Sequence, residues 1–155
     1  MGPKQIHVEG WSPAPPDAVF AVVADAVRWP EWGPMDEAML EEPGTPTPDG
    51  IGALRRFRTG RTTSRERVVA FEPGHRFSYE LVSGLPLRDY RADVDLAPTD
   101  GGTTITWHST FRPKVPGTGW LYRAVLRVFI RRLVDALIAR TSDRRADATP
   151  APDPR

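Results

Sequence analysis

The chain has 155 residues, of which 39% are apolar, and its 21 basic and 20 acidic side chains leave a net charge of +1. That length encloses one domain core of ordinary size, and the near-zero charge argues against a dedicated nucleic-acid binder. Without cysteine, the chain has no disulfides, thiolate nucleophiles or cysteine-based metal centres. No apolar run approaches the ~20 residues that span a bilayer, and the N-terminal MGPKQIHVEG carries no apolar signal core. The expectation is a cytoplasmic protein without an integral membrane segment. Of the basic residues 19 are Arg and 2 are Lys, which a GC-rich coding sequence explains.

Gln5–Trp11 alternates, with Ile6 and Val8 on one face, and is predicted as a short strand. The prolines of SPAPPDAVFAVVADAVRWPEW then lead into a helix with Asp17 in its first turn. Val19, Phe20, Val22 and Val23 fall at helical spacing. Pro30 interrupts this helix and leaves a short second turn around Trp29–Trp32. From Met35 to Phe111 the pattern is β. Turn signals (PGTPTPDG, Gly60, EPG, SGLP and PTDGG) separate six strands: Met35–Glu42, Ala53–Gly60, Thr63–Phe71, Arg76–Ser83, Leu87–Ala97 and Thr103–Arg112. Connections this short imply an antiparallel meander. Gly119–Arg140 reads as a long helix. Its broad apolar face carries Tyr122, Val125, Leu126, Phe129, Ile130, Leu133, Ala136 and Leu137, and the opposite face carries Arg123, Arg127, Arg131 and Asp135. Ser142–Arg155, poor in large apolar residues and Pro-rich at its end, is expected to be a disordered tail after a single domain over residues 1–141. Only the sheet can cover so wide a helical face, so the expected fold is a curved sheet around the last helix.

Strand parity sorts the side chains. Arg56 and Arg58 mark one face of their strand as wet and leave Ala53, Arg55 and Phe57 inside. Arg65 and Arg67 do the same for the next, leaving Glu66, Val68 and Ala70 inside. Further inward sets are Phe77, Tyr79 and Leu81, then Tyr90, Ala92, Val94 and Leu96, then Ile105, Trp107 and Phe111. A turn centred on Arg61–Thr62 opposes Phe57 to Glu66 and sets Arg55 diagonal to Glu66. Other turns oppose Val68 to Tyr79, Tyr79 to Tyr90, and Val94 to Trp107. The inner face thus mixes a few polar groups, Arg55, Glu66, Tyr79, Arg88, Tyr90 and Ser109, with many apolar ones. Charges inside a core are costly unless paired or wet. Arg55 and Glu66 are either a buried structural pair or part of a solvated ligand pocket.

The segments PPDAVFAVVADAVRWPEW, IGALRRF, RERVVAFEPGHRFSYELVSGLPLRDYRADVDL and GGTTITWHSTFRP, followed by the long helix, resemble the SRPBCC superfamily, the START or Bet v 1-like helix-grip fold. The similarity is greatest to its polyketide cyclase/dehydrase-like group and spans about residues 4–140. It implies an α+β fold: a seven-stranded antiparallel curved sheet around a long C-terminal helix, with two short helices after the first strand. It also implies an apolar ligand cavity between sheet and helix. The superfamily includes lipid-transfer domains, hormone receptors and aromatase/cyclases, and fold alone does not choose among them.

His7, His75 and His108 lack metal-ligand spacing, no GxSxG is present, and Gly101–Gly102 precedes a strand rather than a phosphate-binding helix. No metal or cofactor is expected. The reading favoured is binding of a small hydrophobic or aromatic molecule. The pocket is expected to be lined by Phe57, Val68, Tyr79, Tyr90, Ala92, Trp107 and Phe111, with Leu126, Phe129 and Ile130 from the helix. Arg55, Glu66, Arg88 and Ser109 would be its polar groups, and Trp32 part of a lid. An alternative is an aromatase/cyclase in which Arg55 polarises a carbonyl, Glu66 takes a proton, and Tyr79 or Tyr90 donates one. A second alternative is an interaction module with a filled interior. Pocket volume discriminates, with roughly 300 Å³ or more favouring a ligand. Oligomeric state stays open between monomer and homodimer.

Overall fold

The computed structural model describes residues 2–147. Among them seven strands form one antiparallel sheet in the order β1-β7-β6-β5-β4-β3-β2. The strands are β1 (Lys4–Ser12), β2 (Glu37–Glu42), β3 (Leu54–Thr59), β4 (Thr62–Glu72), β5 (Arg76–Ser83), β6 (Leu87–Thr99) and β7 (Gly102–Pro113). Between β1 and β2 run α1 (Pro16–Ala24) and a 3-10 turn (Ala26–Glu31), and the chain continues past β7 into α2 (Gly119–Asp147). The α+β helix-grip architecture expected from the sequence is therefore the one observed. α1 begins with Pro16 at its first helical position, where the missing N–H costs nothing.

β2 to β7 are a meander of hairpins, and β1 closes the sheet beside β7. Bulges interrupt the ladders in β2, across β4 and β5, and in β6; each bends its strand and sharpens the twist. The sheet wraps α2, which packs chiefly against β1, and also against β7 and α1. Gly10 makes the closest approach possible. A Cβ there would meet Ile138 Cδ1 at 2.6 Å and Val134 Cγ1 at 2.9 Å. Further along, the Ser12 and Thr141 hydroxyls share a buried hydrogen bond of 2.6 Å that ties the helix to β1.

The core contains Ile6, Val8, Phe77, Val94, Ile105, Trp107, Phe111, Leu133 and Leu137. Four expectations are corrected. The two-residue β3–β4 turn is Gly60–Arg61, one residue earlier than predicted, which shifts the register by two, so Arg55 lies directly opposite Glu66 and Phe57 opposite Ser64. Tyr79 pairs with Ala92 rather than Tyr90, while Val68–Tyr79 and Val94–Trp107 pair as predicted. Both shifts are by two residues and preserve the face. The β4 bulge between Val68 and Ala70 reverses the parity beyond it: Ala70 pairs with Ser78, and Phe71 turns in against Phe20 and Phe77. Finally, α2 continues to Asp147, past the predicted start of the disordered tail at Ser142; residues 148–155 of that tail lie outside the described residues.

Candidate functional site

Between the N-terminal half of α2 and strands β3–β6 lies a cavity of about 280 Å³. Its sheet-side wall is Phe57, Ser64, Glu66, Tyr79, Leu81 and Tyr90, and its helix-side wall is Val125, Leu126, Phe129, Ile130 and Leu133. Trp29 and Met35 close one end, and Thr59, Thr62 and Leu85 flank the opening. Alternation on concave strands supplies the first wall, and the helical period supplies the second. Of the residues expected to bind a ligand, Phe57, Glu66, Tyr79, Tyr90, Leu126, Phe129 and Ile130 meet at this cavity.

The others do not line it. Val68, Ala92, Trp107, Ser109 and Phe111 are buried in the closed core beneath. Trp107 backs Tyr79 and Trp29 edge-on, at 6.4 and 6.0 Å between ring centroids. Ser109 anchors Tyr90 through a hydroxyl–hydroxyl hydrogen bond of 3.2 Å. Arg88 is exposed, because the β6 bulge, with Asp89 at φ 51°, puts Leu87 inside and Arg88 outside. Trp32 is half-buried beside Val22 and Arg140. Trp29, not Trp32, closes the cavity. It stacks on Phe57 at 5.0 Å and donates its indole N–H to the Val23 carbonyl at 3.0 Å. Val125, predicted on the buried face, is largely exposed at the cavity mouth.

Arg55 is wholly buried and does not reach the cavity. Its Nη2 donates to Glu66 Oε2 at 2.9 Å. The guanidinium carbon sits 4.8–5.1 Å from the ring centres of Trp29, Phe57, Phe77 and Tyr79. Nε and Nη1 have no hydrogen-bond partner among the described residues; aromatic faces attract the cation in place of acceptors. Glu66 stands between this sealed charge and the cavity, its side chain 14% exposed. The pair was expected diagonal and is instead directly cross-strand. Arg55 holds the carboxylate, and only the carboxylate faces the cavity.

Burial raises the Glu66 carboxyl above its ordinary value, although the charge and hydrogen bond of Arg55 pull the other way. Burial also pushes the Tyr79 phenol well up and that of Tyr90 to about 12, so both remain O–H donors at neutral pH. One proton acceptor and two phenols thus converge on a space whose remaining wall is apolar apart from the hydroxyls of Ser64, Thr59 and Thr62.

Trp29, Met35, Ser64, Leu81, Leu85, Val125, Leu133 and the threonines at the mouth were not anticipated as site residues. Ser64 was legible in principle: it shares the parity of Glu66, and the shifted hairpin register places it opposite Phe57. Met35 and Leu85 sit outside the strands, where no period marks a facing direction.

An uncharacterized protein of Mycobacterium tuberculosis (strain ATCC 25618 / H37Rv) is 26% identical over 140 residues, covering 86% of this chain and 81% of that one. A START superfamily protein from Mycobacterium smegmatis superposes with a TM-score of 0.78 at 14% identity, covering 92% of this chain and 99% of that one. The Zhui aromatase/cyclase from Streptomyces sp. R1128 does so with a TM-score of 0.75 at 17% identity, covering 95% and 98%. At such identities these two structures share the fold. The profile described as polyketide cyclase / dehydrase and lipid transport matches residues 5–144. With its helix-grip fold and a cavity under the last helix, the chain belongs to the polyketide cyclase / dehydrase and lipid transport family.

Proposed function

We propose that this protein binds a compact apolar molecule, lipid- or polyketide-like, in the cavity under α2, with a polar end of the ligand against Glu66, Tyr79 and Tyr90. The observation that carries this reading is the composition of the wall. Aromatic and aliphatic side chains surround a small convergent polar set, the usual make-up of a ligand pocket. The volume of about 280 Å³ lies just below the roughly 300–1,000 Å³ common for such sites, which favours a compact ligand over a long extended chain.

A second reading is supported by the raised Glu66 carboxyl. A buried carboxylate facing an apolar space can take a proton from the carbon between two carbonyls, while a phenol donates to the oxygen that gains charge. This is the chemistry of an aldol cyclisation on a poly-β-keto chain.

Native mass spectrometry of the purified protein tests for a co-purified apolar ligand, and titration with an apolar fluorescent probe tests the cavity directly. Ser64→Phe, which fills the cavity, should weaken probe binding at least ten-fold while the fold is retained. Failure of a broad panel of probes, or equal binding by Ser64→Phe, overturns the reading. With a poly-β-keto substrate, Glu66→Gln should abolish turnover and keep binding if catalysis occurs.

A further inference from the structure

We infer that the outward face of the N-terminal half of α2 docks on an anionic lipid surface. In this half the helix is apolar on both sides. Its inner side carries Leu126, Phe129 and Ile130. Its outer side exposes Leu121, Val125 and Val128 at 46%, 58% and 55%, with Trp120 at 69% in the first turn. Positions i, i+4 and i+7 form one stripe, and the exposed Ala124 continues it. One turn further on the outer positions are Arg131, Arg132 and Asp135, and the stripe ends. Contiguous exposed apolar surface of this kind marks an interaction face.

Charge identifies what covers it. From residue 113 to 134 the chain has five cations, Lys114, Arg123, Arg127, Arg131 and Arg132, and no acidic residue, although the whole chain has a net charge of only +1. A second copy meeting the same face would set cation against cation, a like-charge arrangement that disfavours the pairing. Arg123 and Arg131 donate to the Gln5 and Glu9 carbonyls of β1, and Arg131 also lies 3.6 Å from Asp135, which leaves Arg127 and Arg132 flanking the stripe; anionic headgroups complement them, while the apolar stripe enters the acyl boundary. At the start of the helix Trp120 lines a cleft of about 400 Å³ together with Lys4, Arg88 and Arg112. An aromatic ring beside basic groups is the composition that settles at headgroup depth.

Val125 belongs to both surfaces: it is part of the stripe and of the cavity mouth. A docked molecule would therefore open its cavity toward the lipid. Docking itself does not depend on what the cavity binds.

The experiment is flotation of the full chain with vesicles of phosphatidylcholine alone and of phosphatidylcholine with one-third phosphatidylglycerol. The protein should float with the anionic vesicles, not with the neutral ones, and high salt should release it. Arg127→Glu with Arg132→Glu, and separately Leu121→Ser with Val128→Ser, should each reduce the bound fraction by roughly ten-fold. Val82→Ser, at an exposed apolar position on β5, should leave it unchanged. Thermal melts confirm that each variant is folded. Absence of flotation, or equal flotation of all variants, overturns the proposal. So does a concentration-dependent dimer in sedimentation that Leu121→Ser with Val128→Ser abolishes, which would assign the face to a second copy. Probe binding without vesicles is measured in parallel. If it persists while flotation fails, docking is wrong and the ligand reading stands; the reverse outcome removes the ligand reading alone.

Discussion

Arg55 and Glu66 are a buried pair with unequal environments, and that inequality is testable. Arg55 is enclosed by four aromatic rings, whereas Glu66 touches the cavity. Glu66→Leu leaves the guanidinium uncompensated and should cost about 3–5 kcal/mol in chemical denaturation at neutral pH. Arg55→Met should cost less, because the surviving carboxylate can be solvated through the cavity or take up a proton. The double variant should recover much of the Glu66→Leu loss. Equal costs for the two single changes would contradict the asymmetry. Glu66 also sets a pH dependence. Its native value is raised above the ordinary 4.5, so the native state keeps this proton to higher pH than the unfolded chain does. Its contribution to stability is then greatest below about pH 4.5 and falls as pH rises through the native value. Glu66→Gln should remove that slope when the unfolding free energies of variant and wild type are compared across the range. A difference that is flat with pH would show that the carboxyl is not perturbed.

Among the elements, the contact between β1 and α2 fixes how deep the helix sits in the sheet. Gly10 has room for hydrogen alone against Val134 and Ile138. Gly10→Ala should overpack this contact and cost about 1–3 kcal/mol, read from urea denaturation. Leu137→Ala, lower on the same buried face, should cost about 2–5 kcal/mol by opening a cavity. A neutral Gly10→Ala would mean that the helix can slide on the sheet. The N-terminal half of α2, which lies over the cavity, is held less closely: Phe129 and Leu126 are only half-buried.

The molecule as a whole is a sheet too curved to be filled by one helix. The space that remains is the cavity. A ligand that binds only the native state stabilises it by mass action, by about 2.7 kcal/mol when present at a hundred times its Kd. An apolar ligand identified by mass spectrometry should therefore raise the Tm of the wild type and leave that of Ser64→Phe unmoved. An equal rise in both would place the ligand elsewhere, with the exposed α2 stripe as the first place to look.

Periodicity in the sequence determined most of this architecture: seven strands, two short helical segments, a long last helix and the inward sets of nearly every strand. Alternation and helical spacing are local properties, and the sheet only had to honour them. The Arg55–Glu66 association was legible for the same reason, since two opposite charges on the dry faces of adjacent strands have few other partners. Three things were decided only by tertiary structure. A bulge costs one residue and leaves little trace in composition, so the reversals at Ala70 and Arg88 could not be read from alternation. A hairpin register can slip by two and preserve every face, so the opposition of Arg55 to Glu66 awaited the turn itself. Whether an inward residue lines open space or closed core depends on where the helix rests. Thus Trp107 and Phe111 are packed away while Ser64 and Met35 face the cavity, and the outer stripe of α2 is bare because the sheet curves around its other side.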